Sequence, residues 1–249
     1  MANRRCLTLL RRLHRTTAIR IARGYRTVSH SSASVLAASP PFELQALALQ
    51  QVYNHRRALN SDQDQPVQNI WRETKHRIWE RWRAQLMEED ITRPHRAVRA
   101  VLPNWEAWRN LGGTPLTFRM TQILTGHGVF GEYFRKIQRE VTSICHHCKE
   151  EEDSAQHTLE FCPAWEEPRR ILRLTIGDRL SPEAVVEAMT RGQQALSAVH
   201  TFCEHVMLVK ERAERNREKR GDPTRVTRGR RGTTTRRCET AASSPPSPS

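Results

Sequence analysis

Cys145-His146-His147-Cys148-Lys149-Glu150-Glu151-Glu152-Asp153-Ser154-Ala155-Gln156-His157-Thr158-Leu159-Glu160-Phe161-Cys162 is the densest run of metal-ligand side chains in the chain. Its spacing is C-x2-C-x8-H-x4-C. Two residues between the first cysteines make a tight turn that aims both sulfurs at one centre. A His and a third Cys a short way on complete the four ligands of a closed structural zinc site. Reduced, buried cysteines are the plain alternative, but spaced Cys/His sets in a Cys-poor chain point to metal. His146 and His147 blur the register, since either can substitute for His157. The segments on both sides read as helices, so the expected fold is mainly α. Helical bundle segments surround a small CCHC zinc knuckle, and a disordered basic C-terminal tail follows.

The chain has 249 residues, 37% hydrophobic and 27% charged. That length allows one large domain or two small ones, with a core that does not extend along the whole chain. The six cysteines, at 6, 145, 148, 162, 203 and 238, form no disulfide framework and suit a reducing compartment. No apolar run approaches the ~20 residues that span a bilayer, so no membrane partner is expected. The net charge of +14 is unevenly placed: residues 1–40 hold eight Arg and no acid, and residues 210–239 hold twelve Lys/Arg against five acids. The body between is near neutral. Basic ends on a neutral body point to a polyanion, RNA or DNA, rather than a small-molecule substrate.

Working outward, residues 4–23 read as a basic amphipathic helix stopped by Gly24. Its arginines and the serines that follow also fit a mitochondrial presequence. Continuity with Gly24–Ser29 and the Pro40-Pro41 helix start favour a folded segment, hence a nuclear or cytoplasmic protein. Helices follow over 42–59 and 67–87. Val98 to Leu111 carry an apolar face that Pro103 kinks or divides. Five of the six Trp lie in residues 71–108. Periodic burial predicts core packing for them, against stacking on bases. Leu116 to Ile137 reads as two helices round a Gly-rich corner, with His127 a packed corner residue. Pro163 to Ile176 is helical. Ser181-Pro182-Glu183 starts another helix, and a third runs from Gln193 to about Arg220, with Cys203 in the core. The resulting segments are 1–60 (basic helices), 61–139 (Trp-rich helices), 140–165 (the knuckle), 166–220 (C-terminal helices) and 221–249 (basic tail).

The run Leu116-Thr117-Phe118-Arg119-Met120-Thr121-Gln122-Ile123-Leu124-Thr125-Gly126-His127-Gly128-Val129-Phe130-Gly131-Glu132-Tyr133 leads into Cys145-His146-His147-Cys148, His157-Thr158-Leu159 and Cys162-Pro163-Ala164-Trp165. Together these closely resemble the C-terminal part of insect non-LTR (LINE-like) retrotransposon reverse transcriptases. Ala18-Ile19-Arg20-Ile21-Ala22-Arg23-Gly24-Tyr25-Arg26-Thr27-Val28-Ser29 resembles the thumb segment that follows the polymerase palm there. The resemblance reaches about residue 220 and is most specific over 116–165. It implies that Cys145, Cys148, His157 and Cys162 are knuckle ligands. It further implies that the region grips template RNA or target DNA.

Polymerisation needs carboxylates that hold two metal ions. The six Asp, at 62, 64, 90, 153, 178 and 222, include no adjacent pair, and no endonuclease-like carboxylate and His set is visible. The chain by itself therefore reads as non-catalytic. The knuckle holds five acids and one Lys, a balance that repels phosphate. Contact is expected instead from Arg135, Lys136 and Arg139 before it, Arg169, Arg170 and Arg173 after it, and Arg228, Arg230 and Arg231 in the tail. Three functions follow: a nucleic-acid-binding module, a structural zinc or protein-interaction module, or part of an active reverse transcriptase whose palm is encoded upstream.

Overall fold

The computed structural model describes residues 4–58, 67–111 and 116–226. Among these the chain is mainly α, with eleven α-helices, no strand and two isolated β-bridges. α1 (Arg4–Ile21) ends where Arg23 takes a φ of 52° ahead of Gly24. α2 (His30–Leu36) lies in the serine-rich stretch, where apolar spacing predicts no helix. The Ser29 hydroxyl accepts the Ser32 amide hydrogen as an N-cap, and Ser34 Oγ donates to the His30 carbonyl at 2.6 Å. These local bonds, with Ser31 Oγ donating to Glu89 of a later helix at 2.7 Å, allow all of Ser31–Leu36 to be buried.

α3 (Phe42–Ala58) packs on α4 (Val67–Thr92). α4 runs beyond the expected end at residue 87, because Met87–Thr92 offers no breaker until Pro94. α5 (Arg96–Val101) and α6 (Trp105–Asn110) flank a 3-10 turn at Leu102–Asn104. Pro103 therefore divides this segment, as a proline must. α7 (Phe118–Thr125) and α8 (Gly131–Lys136) make the Gly-rich corner, which turns on Gly126 at φ 71°. His127 packs there, edge-on to Tyr133 at 5.0 Å. α9 (Glu166–Ile176), α10 (Pro182–Arg191, N-capped by Ser181) and α11 (Gln193–Arg220) complete the chain.

One hydrophobic core runs from Ala22 to Met207 and includes Cys145 and Cys162. α5 lies against α2, α7 and α10, and α11 lies against α7, α9 and α10. Trp79, Trp82 and Trp105 cluster with ring centroids 5.2–5.4 Å apart. Trp108 is buried and donates its Nε1 hydrogen to the Val35 carbonyl at 2.8 Å. Core packing thus holds for these four and for Trp165, which is also buried, while Trp71 stays 38% exposed. Cys203 is buried as expected.

The knuckle is pinned to this body by Asp153. Its carboxylate meets Lys210 of α11 in a buried ion pair and accepts the Gly131 amide hydrogen at 3.1 Å. Lys210 also donates to Thr158 Oγ1 and lies 5.1 Å above the Phe130 ring. The Gly131 site has no room for a side chain, since a Cβ would sit 2.7 Å from the Ser143 carbonyl oxygen.

The tail expectation needs correction at its start. Residues 221–226 form an ordered strap: Val141 N–H donates to the Thr224 carbonyl, and Val226 N–H to the Arg139 carbonyl. Arg225 pairs with the buried Glu214 at 2.8 Å. A buried carboxylate demands a cation, and that demand orders a stretch whose composition reads as tail. Residues 227–249 lie outside the described residues.

Lys210→Met leaves Asp153 buried without a counter-ion. Urea titration should show a stability loss of about 3–5 kcal/mol, and adding Asp153→Asn should recover much of it.

Candidate metal centre

Cys145, Cys148, His157 and Cys162 converge with their ligand atoms all within 4.8 Å of one another. Cys145 Sγ lies 3.9 Å from Cys162 Sγ, and Cys148 Sγ lies 3.3 Å from His157 Nε2. A tetrahedral ion with metal–sulfur bonds of ~2.3 Å and metal–nitrogen bonds of ~2.0–2.1 Å places sulfurs ~3.8 Å apart and sulfur and nitrogen ~3.6 Å apart. The observed separations match that shape, so these four residues can hold one metal ion.

Local backbone builds the arrangement. Lys149 N–H returns to the Cys145 carbonyl at 2.8 Å, and Cys145 N–H bonds the Glu151 carbonyl at 2.7 Å. Lys149 takes a left-handed φ of 69° to close this turn. His157–Phe161 forms a single π turn, with Cys162 N–H donating to the His157 carbonyl at 2.7 Å. Residues five apart on an ordinary α-helix diverge by roughly 140°. The i→i+5 closure brings His157 and Cys162 back to one side. His157 Nδ1 faces Glu151 Oε2 at 2.9 Å, which leaves Nε2 for the metal side.

The ligand register is resolved by the neighbours of the other two histidines. His146 Nε2 is 3.1 Å from the buried Glu140 carboxylate. His147 is half-buried against the Trp165 ring, with centroids 4.7 Å apart. Burial, with the Lys210 charge nearby, lowers its pKa to about 4. Neither joins the four-ligand cluster.

Burial raises the Cys145 thiol pKa and pushes that of Cys162 up to about 12, where the neighbouring thiols add to it. For Cys148 burial also opposes ionisation, but the backbone N–H groups of Glu150 and Glu151 and the His157 ring bring it down to about 7. A bound dication reverses the resistance of the two buried thiols, because only the thiolate ligates.

The expected phosphate contacts fare differently. Arg135 and Lys136 are exposed at the end of α8 and make no ion pair with the described residues. Arg139 pairs with Glu214 at 3.9 Å and Glu218 at 3.6 Å, above the Phe134 ring. Arg170 is paired with Glu167, and Arg173 with Glu166. Arg169 is the clear correction. It is 1% exposed and donates to the Leu159 carbonyl at 3.0 Å, the Cys162 carbonyl at 2.7 Å and the Glu166 carboxylate. The Leu159 carbonyl lies in the π turn, and the Cys162 carbonyl just after it also accepts the Trp165 N–H. A buried fork of N–H donors reaches both. Arg169 therefore supports the ligand loop and is closed to phosphate. Arg228, Arg230 and Arg231 lie outside the described residues.

Reasoning from sequence misses Glu151, Arg169, Asp153 and Lys210. Lys210 carries a signal: Cys203, Val206, Met207, Lys210 and Glu214 follow one helical stripe, and all are buried. Charges inside an apolar period mark buried partners.

No family model, curated protein or solved structure matches this chain.

Two measurements test the centre. Purified protein should carry one metal ion per chain, and Cys148→Ser should abolish stoichiometric binding. Arg169→Leu removes the side-chain donor to the Leu159 carbonyl, while the Cys162 carbonyl keeps the Trp165 N–H. It should lower stability by about 1–3 kcal/mol, read from the denaturant midpoint.

Proposed function

We propose that this chain is a nucleic-acid-binding module, equivalent to the non-catalytic C-terminal part of a non-LTR retrotransposon reverse transcriptase, in which one zinc ion braces the fold. The observation that carries the reading is the separation of charge. Residues 1–40 hold eight arginines and no acid. Within α1, Arg4, Arg12 and Arg20 are exposed and make no ion pair with the described residues. An array of uncompensated arginines attracts a polyanion and releases its counterions on contact. The resemblance over residues 116–165 supports the same reading. Three cysteines and one histidine at tetrahedral separations favour zinc.

Contact with phosphate falls to α1, to Arg135 and Lys136, and to the arginines beyond Val226. The finger is left out, because its exposed face carries Glu150, Glu151 and Glu152 and four of the six flanking cations are engaged in ion pairs. That acidic face favours a second reading, a structural zinc module that meets a protein. On the first reading polymerase and endonuclease activity belong to sequence outside this chain, and the protein works in the nucleus or cytoplasm. Ala18 of α1 joins a small cluster with Val28, Ala33 and Ala37, as a folded helix requires and a removable leader does not.

A salt titration with single-stranded RNA separates the readings. Log affinity should fall by ~0.7 per phosphate contact as log salt rises. A chain ending at Val226 lacks Arg228, Arg230, Arg231, Arg236 and Arg237 and should show a flatter slope with its metal content intact. Absence of RNA binding at low salt would leave the protein-interaction reading in its place.

A further inference from the structure

Trp71 is the exception among the tryptophans. The other five rings are 1–6% exposed, whereas Trp71 is 38% exposed on α4. It borders a groove of about 1190 Å³ between α3 and α4. The floor is apolar, made by Ala48, Ile78 and Trp79, and Leu49 stands 57% exposed on the wall. Single small-ligand pockets run to ~300–1,000 Å³, so this groove has room for more than one unit of a chain.

The rim is cationic. Arg72 and Lys75 line the groove, are exposed, and make no ion pair with the described residues. Arg109 adds a third guanidinium, which is shared with Glu106 at 2.8 Å. Glu73 is the one carboxylate among the lining residues. Lys75 follows Trp71 by four residues, so the ammonium and the indole share one helix face. A flat exposed ring, an adjacent apolar wall and cations beside it and one turn on, without ion pairs among the described residues, are the parts of a single-strand site. The base stacks on the ring and its phosphate meets the cation.

We infer that the α3–α4 groove binds a single-stranded RNA or DNA segment, with a base stacked on Trp71 and phosphates held by Arg72 and Lys75. This rests on the nucleic-acid reading above and gives it a location away from the metal centre. An acidic peptide would meet the same cations, but it gives the exposed indole no flat partner.

The test uses the full chain and a fluorescent oligo(dT) of about ten nucleotides, with anisotropy measured over a range of salt. Trp71→Ala should weaken binding about 5- to 150-fold, and Trp71→Phe, which keeps a ring, should retain most of it. Arg72→Gln with Lys75→Gln should flatten the salt slope by ~0.7 for each phosphate that the protein no longer neutralises. Metal content and melting temperature, unchanged in all variants, exclude misfolding. Wild-type affinity and slope in every variant overturn the groove while leaving nucleic-acid binding elsewhere on the chain intact. Failure of the wild-type chain to bind the oligonucleotide at low salt overturns both. Trp71-dependent capture of poly-glutamate in place of oligo(dT) assigns the groove to acidic peptides and overturns the inference.

Discussion

The carboxylate of Asp153 is buried, and everything round the ligand loop depends on what faces it. An ionised carboxylate without partners in an apolar medium is far more costly than a domain can tolerate. Here Lys210 supplies the opposite charge, the Gly131 amide a hydrogen bond, and Thr158 a hydroxyl. Each comes from a different part of the chain: α11, the start of α8, and the π turn next to His157. The loop is thereby fixed to two helices by one group. A buried pair of this kind adds little net stability over apolar packing, but breaking it is expensive, so it selects one arrangement.

The ligand cluster is continuous with the body. Cys145 and Cys162 are fully buried and belong to the main core. In this respect the site differs from a small finger on a flexible tether. Arg169 shows the consequence for charge. A guanidinium that sequence alone assigns to the surface is drawn inward to carbonyls in and just after the π turn. Arg225 and Arg217 are drawn in likewise by Glu214 and Glu140. The knuckle's neighbourhood thus consumes most of its own cations, Arg135 and Lys136 excepted, while α1 and the α4 rim keep some of theirs.

Much of this was legible in the sequence. The helices over 42–58, 105–110 and 193–220 follow from apolar spacing, and Pro103, Gly126 and Ser181 punctuate the chain where their chemistry requires. The four ligands followed from spacing alone, although the choice between His157 and its rivals did not. Glu140, six residues before it, occupies His146, and Trp165 occupies His147. α2 was hidden because its serines look solvated and are instead satisfied locally or, for Ser31, by Glu89 of α4. The strap at 221–226 was hidden because much of its order comes from partners elsewhere, Glu214 and the backbone of Arg139 and Val141. Trp71 was hidden in the opposite way: it shares the period of the buried rings of α4, yet it lies at the edge of the bundle. Periodicity gives the direction of a side chain, not the depth of what covers it.

The partners of the Asp153 carboxylate are also far apart in time. Lys210 lies 57 positions after it. A ribosome adding ~5–20 residues per second makes the acid roughly three to eleven seconds before the base. During that interval the ligand turn can form, because its own bonds are short-range. Its α11 anchor does not yet exist, and the loop is held only by its bonds to the start of α8. The order of manufacture therefore makes closure of the ligand turn an early local event and its docking on α11 a late one. A nascent chain stalled between residues 162 and 210 would present a chelating loop with an unpaired acid at its base.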